Sequence, residues 1–533
     1  MCQLIRVRMD QQRVQINKTT FRHGVMSFHE DHDAVCLKVL CFYIIVIMKI
    51  FFGLQFLIVL LFSFVMIPIP HTAAHTSPHG GRTERMMSLV TKGIGLAKKI
   101  KHRFDAQQRA AAVVYLSPVR RIERVKTTQR ICAMTFDDGP CLLPPQPGSS
   151  TMGLTEHLAQ VLERHGAKGT FDVVGDTSQN YPDVAGKEGS AQWGGVSYDH
   201  YPDFQKDQMG GAYHCPELID RLLSAGHEIT SHTYAHVLFG RKNLVYGARH
   251  YLGDLDAVVS DLQKLDDLMK TVHHNQIRLA RPPHYVDTIS RGINAYDAYA
   301  LMGYQYMAAS FDGAGWLPLA TYEAEVEAMV TPMRQALSQQ EDIFCGQIIF
   351  QKDGFNMARR TPVADGLELQ LALLDKYGYQ VLTVSELLSH AMFYDIDPTH
   401  PLYDAASTLI QNGYCAAYRD NTIRPQQDPT AMEIAMVLFG KDGVKRRIDM
   451  IRGAADMPRG LNCNAVHPYS GALALANEAG VSSELLTSRT KMTPEVLRVL
   501  CSARFGKSTP AVHTFDGTVN RTECYNYIAE QLS

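Results

Sequence analysis

No Cys-x-x-Cys pair occurs among the eleven cysteines of this chain. That absence argues against a structural zinc site of thiolates and against a dithiol redox motif. The cysteines are also too scattered for a dense disulfide framework, although they leave room for a few bridges in an exported protein. Charge of one sign is not in excess, because the net charge is −2. Nucleic acid is therefore a poor candidate partner, since it calls for a strongly basic face. What is present is ordinary globular material, 46% apolar and 20% charged. A chain of 533 residues exceeds one typical domain, so two or three are expected.

Residues 39–69 are almost continuously apolar, broken by Lys49. Two readings compete. One is a membrane anchor, since about 20 apolar residues span a bilayer. The other starts at Met48. Met48-Lys49 is then a short positive segment, Ile50 to Ile69 the apolar core of a signal peptide, and His71-Thr72-Ala73-Ala74-His75 a small-residue exit. The second is preferred, with residues 1–47 an upstream extension of the reading frame. Either reading places the bulk of the chain outside the cytoplasm. Residues 76–127 read as a linker with a basic helix, Lys98 to Arg109.

From about 128 to 392, short apolar runs alternate with amphipathic stretches. The runs are Ile131 to Phe136, Gly169 to Val174, His227 to Ser231, Ile277 to Ala280, Tyr304 to Phe311, Gln347 to Phe350 and Tyr379 to Leu382. Helical patterns at Leu154 to His165, Pro216 to Ala225, Leu255 to Val272 and Thr321 to Leu337 fall between them. Such alternation predicts an α/β fold, a distorted (β/α) barrel of about seven strands. Asp137 and Asp138, His232, Arg281, Asp312 and Lys352 all sit at or just past the end of a run. In a barrel those ends converge on one face. Residues 177–215 form a long insertion, either a rim over that face or a disordered segment.

Two strings carry chemistry. Thr135-Phe136-Asp137-Asp138-Gly139-Pro140 puts adjacent carboxylates on a turn, and His232-Thr233-Tyr234-Ala235-His236 supplies two imidazoles. Taken singly, each is good turn or cap chemistry. Together, one carboxylate and two imidazoles make a three-ligand divalent metal site with a position open for water. The second carboxylate is left to act as a base.

These strings, with Arg281-Pro282-Pro283, resemble the motifs of the polysaccharide deacetylases, the NodB-homology group or carbohydrate esterase family 4. The resemblance covers about 128–392. It is reinforced by Gly169-Thr170-Phe171 to Gly175, by Gly226-His227-Glu228-Ile229 and by Tyr379 to Leu387. It implies removal of acetyl groups from an N- or O-acetylated sugar polymer, peptidoglycan or chitin-like. It further implies that Asp137 is the general base, that Asp138, His232 and His236 bind the metal, and that Arg281 holds Asp137 ionised. Three N/O ligands suit zinc, with cobalt, nickel and manganese as alternatives. The oxyanion donor of the third motif, a backbone N–H, falls at His284, where the family usually has Tyr.

Two positions depart from the pattern. The fourth motif reads Asp312-Gly313-Ala314-Gly315-Trp316, with Gly315 where a second Asp is usual. The fifth reads Ile348-Ile349-Phe350-Gln351-Lys352-Asp353, with Lys352 at the place of the acid histidine. A leaving amine or alkoxide needs a proton, and a positioned acid contributes about 10²–10⁴-fold. Lys352 or His284 could supply it. Loss of that acid would instead leave a catalytically impaired domain that binds glycan.

Beyond residue 395 the chain repeats itself. His400-Pro401 leads to Ala405 and Gly413, and His467-Pro468 leads to Ala472 and Gly480 at the same offsets. Helix-start signals follow at Thr430-Ala431-Met432-Glu433, Met492-Thr493-Pro494-Glu495 and Asn520-Arg521-Thr522-Glu523. A small all-α repeat domain is expected over 395–533. Tyr418-Arg419-Asp420-Asn421-Thr422-Ile423-Arg424-Pro425 resembles the middle segment of S-layer homology modules, which anchor exported proteins to anionic wall polymers. The recognition arginine that this resemblance implies survives only as Arg521. The sequence thus reads as an exported, wall-associated, metal-dependent deacetylase.

Overall fold

The computed structural model describes residues 115–142, 145, 152–176, 191–193, 196–198, 210–241, 251–356, 358, 360–454, 467–506 and 517–532. The apolar stretch 39–69, the basic helix at 98–109 and most of the insertion at 177–215 lie outside them. Among the described residues no helix is long and apolar enough to cross a membrane, and the seven cysteines are free thiols. Ala112–Ser533 forms one compact unit.

The centre of that unit is a nine-stranded, all-parallel sheet. Its strands are β1 (Arg121–Ile122), β2 (Ile131–Asp137), β3 (Gly169–Val173), β4 (Glu228–Ser231), β5 (Leu279–Ala280), β6 (Gln305–Met307), β7 (Phe311–Asp312), β8 (Ile348–Lys352) and β9 (Gln380–Leu382). The spatial order is β1-β6-β5-β4-β3-β2-β8-β7, with β9 beside the start of β2. Every residue of β2 and β3 is buried. Parallel strands covered on both faces need near-continuous apolar runs, which is why these segments were visible in the sequence.

The barrel differs from the seven-strand expectation in two places. Tyr304 to Phe311 is not one strand. It is β6 and β7: β7 ends the strand order and β6 lies one strand in from the other end, although only three residues separate them. The four steps from Met307 to Phe311 span at most about 14 Å, so the two sides of the sheet must curl together. The second difference is β1, inside the stretch expected to be linker. β1 pairs with β6, and the residues after it reach the base of β8, where Val125 donates to the Gly346 carbonyl at 2.9 Å. It thereby covers the seam.

Four helices fall where the amphipathic patterns predicted them: α1 (Leu154–Arg164), α2 (Pro216–Ser224), α3 (Leu255–Val272) and α5 (Tyr322–Gln339). Between the last two comes α4 (Ala295–Met302), and α6 (Val363–Lys376) and α7 (Val384–His390) follow. Asp254 caps α3 and Thr321 caps α5 through bonds to first-turn amides, as the cap preference requires.

Beyond the barrel come only helices among the described residues: α8 (Tyr403–Gln411), α9 (Ala431–Gly453), α10 (Ser470–Glu478), α11 (Pro494–Phe505) and α12 (Arg521–Glu530). α9 and α10 cross at Gly443 and Gly471, where an added Cβ would lie 1.9–2.5 Å from the facing backbone. This block is bolted to the barrel. Arg447 of α9 bonds Asp297 of α4 at 2.7 Å and the Gly292 carbonyl at 2.6 Å, and the Arg419 guanidinium lies 3.3 Å over the Tyr296 ring.

Candidate metal centre

β2 delivers Asp137 as its last residue, and Asp138 follows at φ 80°. Left-handed backbone is costly for a residue with a Cβ, and here it turns the two carboxylates apart into one pocket. Gly139 is required next, because a Cβ there would lie 1.9 Å from the Asp353 carboxylate. That carboxylate is fully buried and accepts from Thr155 Oγ1 at 2.6 Å. The Asp353 amide also donates to the Asp137 carbonyl at 2.8 Å. Asp353 therefore fixes the turn from behind.

The two histidines follow β4. His232 to His236 is a loop rather than a helix turn, with Thr233 and His236 at φ 71° and 51°. Asp261 of α3 holds it, accepting from the Tyr234 and Ala235 amides at 2.8 and 3.3 Å. Both imidazoles consequently face Asp138. His236 Nε2 is 3.0 Å and His232 Nε2 3.2 Å from Asp138 Oδ1. Four-coordinate zinc with bonds of about 2.0–2.1 Å needs ligand atoms about 3.3 Å apart. The donor set and its spacing fit a divalent cation, and all three residues are buried.

Arg281 follows β5 and is wholly buried. Its Nη1 forms an ion pair with Asp137 Oδ1, and its carbonyl accepts from His232 Nδ1 at 2.9 Å. One residue thus positions both the base candidate and a ligand. Burial pushes the Asp137 carboxyl up to about 7, against the opposing pull of Arg281 and His232. Burial also opposes the charge of Asp138, yet Lys352 and the imidazoles hold it well below the usual carboxylate range. His232 is lowered by burial but raised more by Asp172, Asp137 and Asp138, reaching about 10. A ligated imidazole must give up its Nε2 proton, so cation binding releases protons.

Lys352, last in β8 and in register with Asp137, points into this pocket. It is buried, and its Nζ forms an ion pair with Asp138 Oδ2. The His284 ring stands edge-on to the His236 ring, with centroids 5.5 Å apart, and His284 and Tyr285 both have positive φ. Asp312 does not join the site. It is exposed, and it accepts from the Ala314 amide at 2.8 Å and from Trp316 Nε1 at 3.0 Å. A Cβ on Gly315 would meet Met329 and Val363 at 3.5–3.8 Å, so the position has room for a side chain. Asp172, Asp261 and Asp353 were missed by sequence reasoning. For Asp172 and Asp353 the available signal was an ionisable residue within or beside a strand buried on both faces, and for Asp261 an aspartate on the apolar face of α3.

Arg521 belongs elsewhere and corrects an expectation. Its side chain is buried among Tyr418 Oη at 2.9 Å, Tyr525 Oη at 3.3 Å and Glu433 at 3.5 Å. It serves the interior of the helical block and is not presented to a polymer.

Residues 124–306 match the family described as Polysaccharide deacetylase. Asp137, Asp138, His232, His236, Arg281 and His284 lie inside that match, whereas Gly315 and Lys352 lie beyond it. Solved structures similar to the chain include a pseudoenzyme of carbohydrate esterase family 4 from Bacillus anthracis, 13% identical over 51% of this chain and 70% of that one, with a TM-score of 0.33. Peptidoglycan deacetylase PdaC from Bacillus subtilis is 19% identical over 50% and 93%, at 0.32. A chitin deacetylase from Colletotrichum lindemuthianum is 17% identical over 52% and 93%, at 0.33. No curated protein matches the chain.

Proposed function

We propose that this chain, whose residues 124–306 form a polysaccharide deacetylase domain, is a metal-dependent hydrolase that removes acetyl groups from an aminosugar polysaccharide of the peptidoglycan or chitin type. The observation that carries the reading is the placement of Asp137 beside the Asp138, His232 and His236 cluster, paired to a buried Arg281. A divalent cation held by those three ligands, zinc or alternatively cobalt, nickel or manganese, supplies Lewis acidity toward a carbonyl and toward water. Asp137 takes the proton from the attacking water. Arg281 keeps that carboxylate aimed at the pocket, and the His284 backbone is the candidate donor to the oxyanion.

The proton for the leaving group comes from Lys352 or His284. Lys352 must release Asp138 before it can reach a substrate. The same contact favours a second reading, in which Lys352 mutes the site and the domain binds glycan without cleaving it. The chain is further proposed to be exported and held at the cell wall. The apolar stretch 39–69 with its small-residue exit supports export, whether that stretch is a signal peptide or an anchor. The likeness of Tyr418 to Pro425 to wall-anchoring modules supports tethering.

Acetate release from acetylated glycans, measured with added metal, tests the reading. The wild type is expected to release acetate, with Asp137→Ala at least about 100-fold slower. Loss of similar size in Lys352→Ala or His284→Ala identifies the acid. A faster Lys352→Ala protein supports the muted reading. No metal-dependent release from any acetylated glycan would end the enzyme assignment.

A further inference from the structure

β3 reads Gly-Thr-Phe-Asp-Val, and its fourth residue, Asp172, is fully buried between Asp137 and Thr230 of the flanking strands. Its Oδ1 accepts from Thr230 Oγ1 at 2.7 Å. Its Oδ2 lies 2.8 Å from His232 Nδ1, off the line of that N–H, and has no hydrogen bond of its own. A buried carboxylate oxygen without a hydrogen bond is expensive to keep. Here it faces the imidazole of a metal-ligand candidate and comes within the field of Arg281.

The charges nearby indicate why such a group is useful. Asp137 and Asp138 are matched by Arg281 and Lys352. Each carboxylate is thus already paired with a cationic side chain, and a divalent cation would enter a buried pocket with an ammonium already against one of its ligands. Asp172 adds a third carboxylate beside Asp137 and His232.

We propose that Asp172 is a positioning residue for the metal that acts through His232: its carboxylate, set against the Nδ1 edge of that ring, strengthens the imidazole as a ligand and offsets the Lys352 ammonium lodged in the same pocket. A carboxylate beside a ligating histidine strengthens it as a ligand, while the Arg281 carbonyl accepts the hydrogen bond from its Nδ1–H. The inference rests on the metal-site reading above and requires no polysaccharide activity.

The test is zinc affinity of the full chain by competition with a chromophoric chelator, together with the visible spectrum of the cobalt form. Asp172→Asn preserves shape and removes the charge. It is expected to bind zinc about 10–100-fold more weakly than wild type and to shift the cobalt bands. Adding Lys352→Met to Asp172→Asn is expected to recover much of the loss. Zinc affinity within about threefold of wild type in Asp172→Asn, with an unchanged cobalt spectrum, would overturn the proposal, as would a double variant that binds no more tightly than the single one. If Asp172→Asn does not fold, Thr230→Val, which releases the pinned carboxylate, must weaken zinc binding, and unchanged affinity there overturns the proposal equally. A wild type that binds no zinc removes the metal-site reading itself. A zinc-binding wild type matched by its variants removes only the role of Asp172.

Discussion

Asp353 shows how a single buried residue ties the site to the fold. It braces the Asp137-Asp138 turn from behind, and burial raises it to about 7, well above the ordinary aspartate value of about 3.9. The folded protein therefore retains a proton that the unfolded chain releases between those values. Stability supplied by this group is full at low pH and is lost as pH rises from about 4 to 7. Asp353→Asn keeps an acceptor for Thr155 and has no proton to lose. Urea denaturation at pH 5 and pH 8 should show the wild type losing at least about 1 kcal/mol more than the variant over that interval, since a tenfold change in proton affinity is worth about 1.4 kcal/mol. Equal losses would remove Asp353 as the cause. Arg281 makes a complementary point. Its side chain holds Asp137 and its carbonyl holds His232, so substituting its side chain would release the first contact and leave the second in the backbone.

Among the elements, the helical block gives the sharpest revision. Asn520 does cap α12 with its box partner Glu523, but Arg521 turns inward onto Tyr418, Tyr525 and Glu433. Removing one partner of a buried charge pair costs about 3–5 kcal/mol, and the partial exposure of Glu433 lowers the expectation to about 3 kcal/mol. Arg521→Ala should therefore lower the denaturant midpoint and the amide protection of α12. Lost wall-polymer binding at unchanged stability would return Arg521 to a recognition role. The legibility of the other elements followed the same physics. α3 was readable to its last residue because its apolar face repeats over 18 residues and Asp254 marks its start. β1 was not, because two residues, one of them an arginine, carry no period. The β6–β7 break was hidden because a seam between sheet ends is a property of closure and leaves the local pattern unchanged. Asp137, Asp138, His232 and His236 were legible as contiguous strings. Asp172 and Asp261 were not, because they act across strands and helices far apart in sequence.

At the scale of the molecule, the site exists only when the barrel closes. Asp138, His232, Arg281 and Lys352 come from four different strand ends, and β1 seals the ring that brings them together. A cation held by this cluster would consequently be linked to folding, because the unfolded chain has no such cluster to offer. The helical block shares in this rigidity through Arg447 and Asp297. Anomalous diffraction at the zinc edge, from crystals of the full chain grown with zinc, tests the central claim most directly. A single strong peak within about 2.0–2.2 Å of Asp138, His232 and His236 is predicted, with Asp137 alongside and not ligating. A zinc-free pocket in which Lys352 keeps its pair with Asp138, or a peak at another cluster, would contradict it.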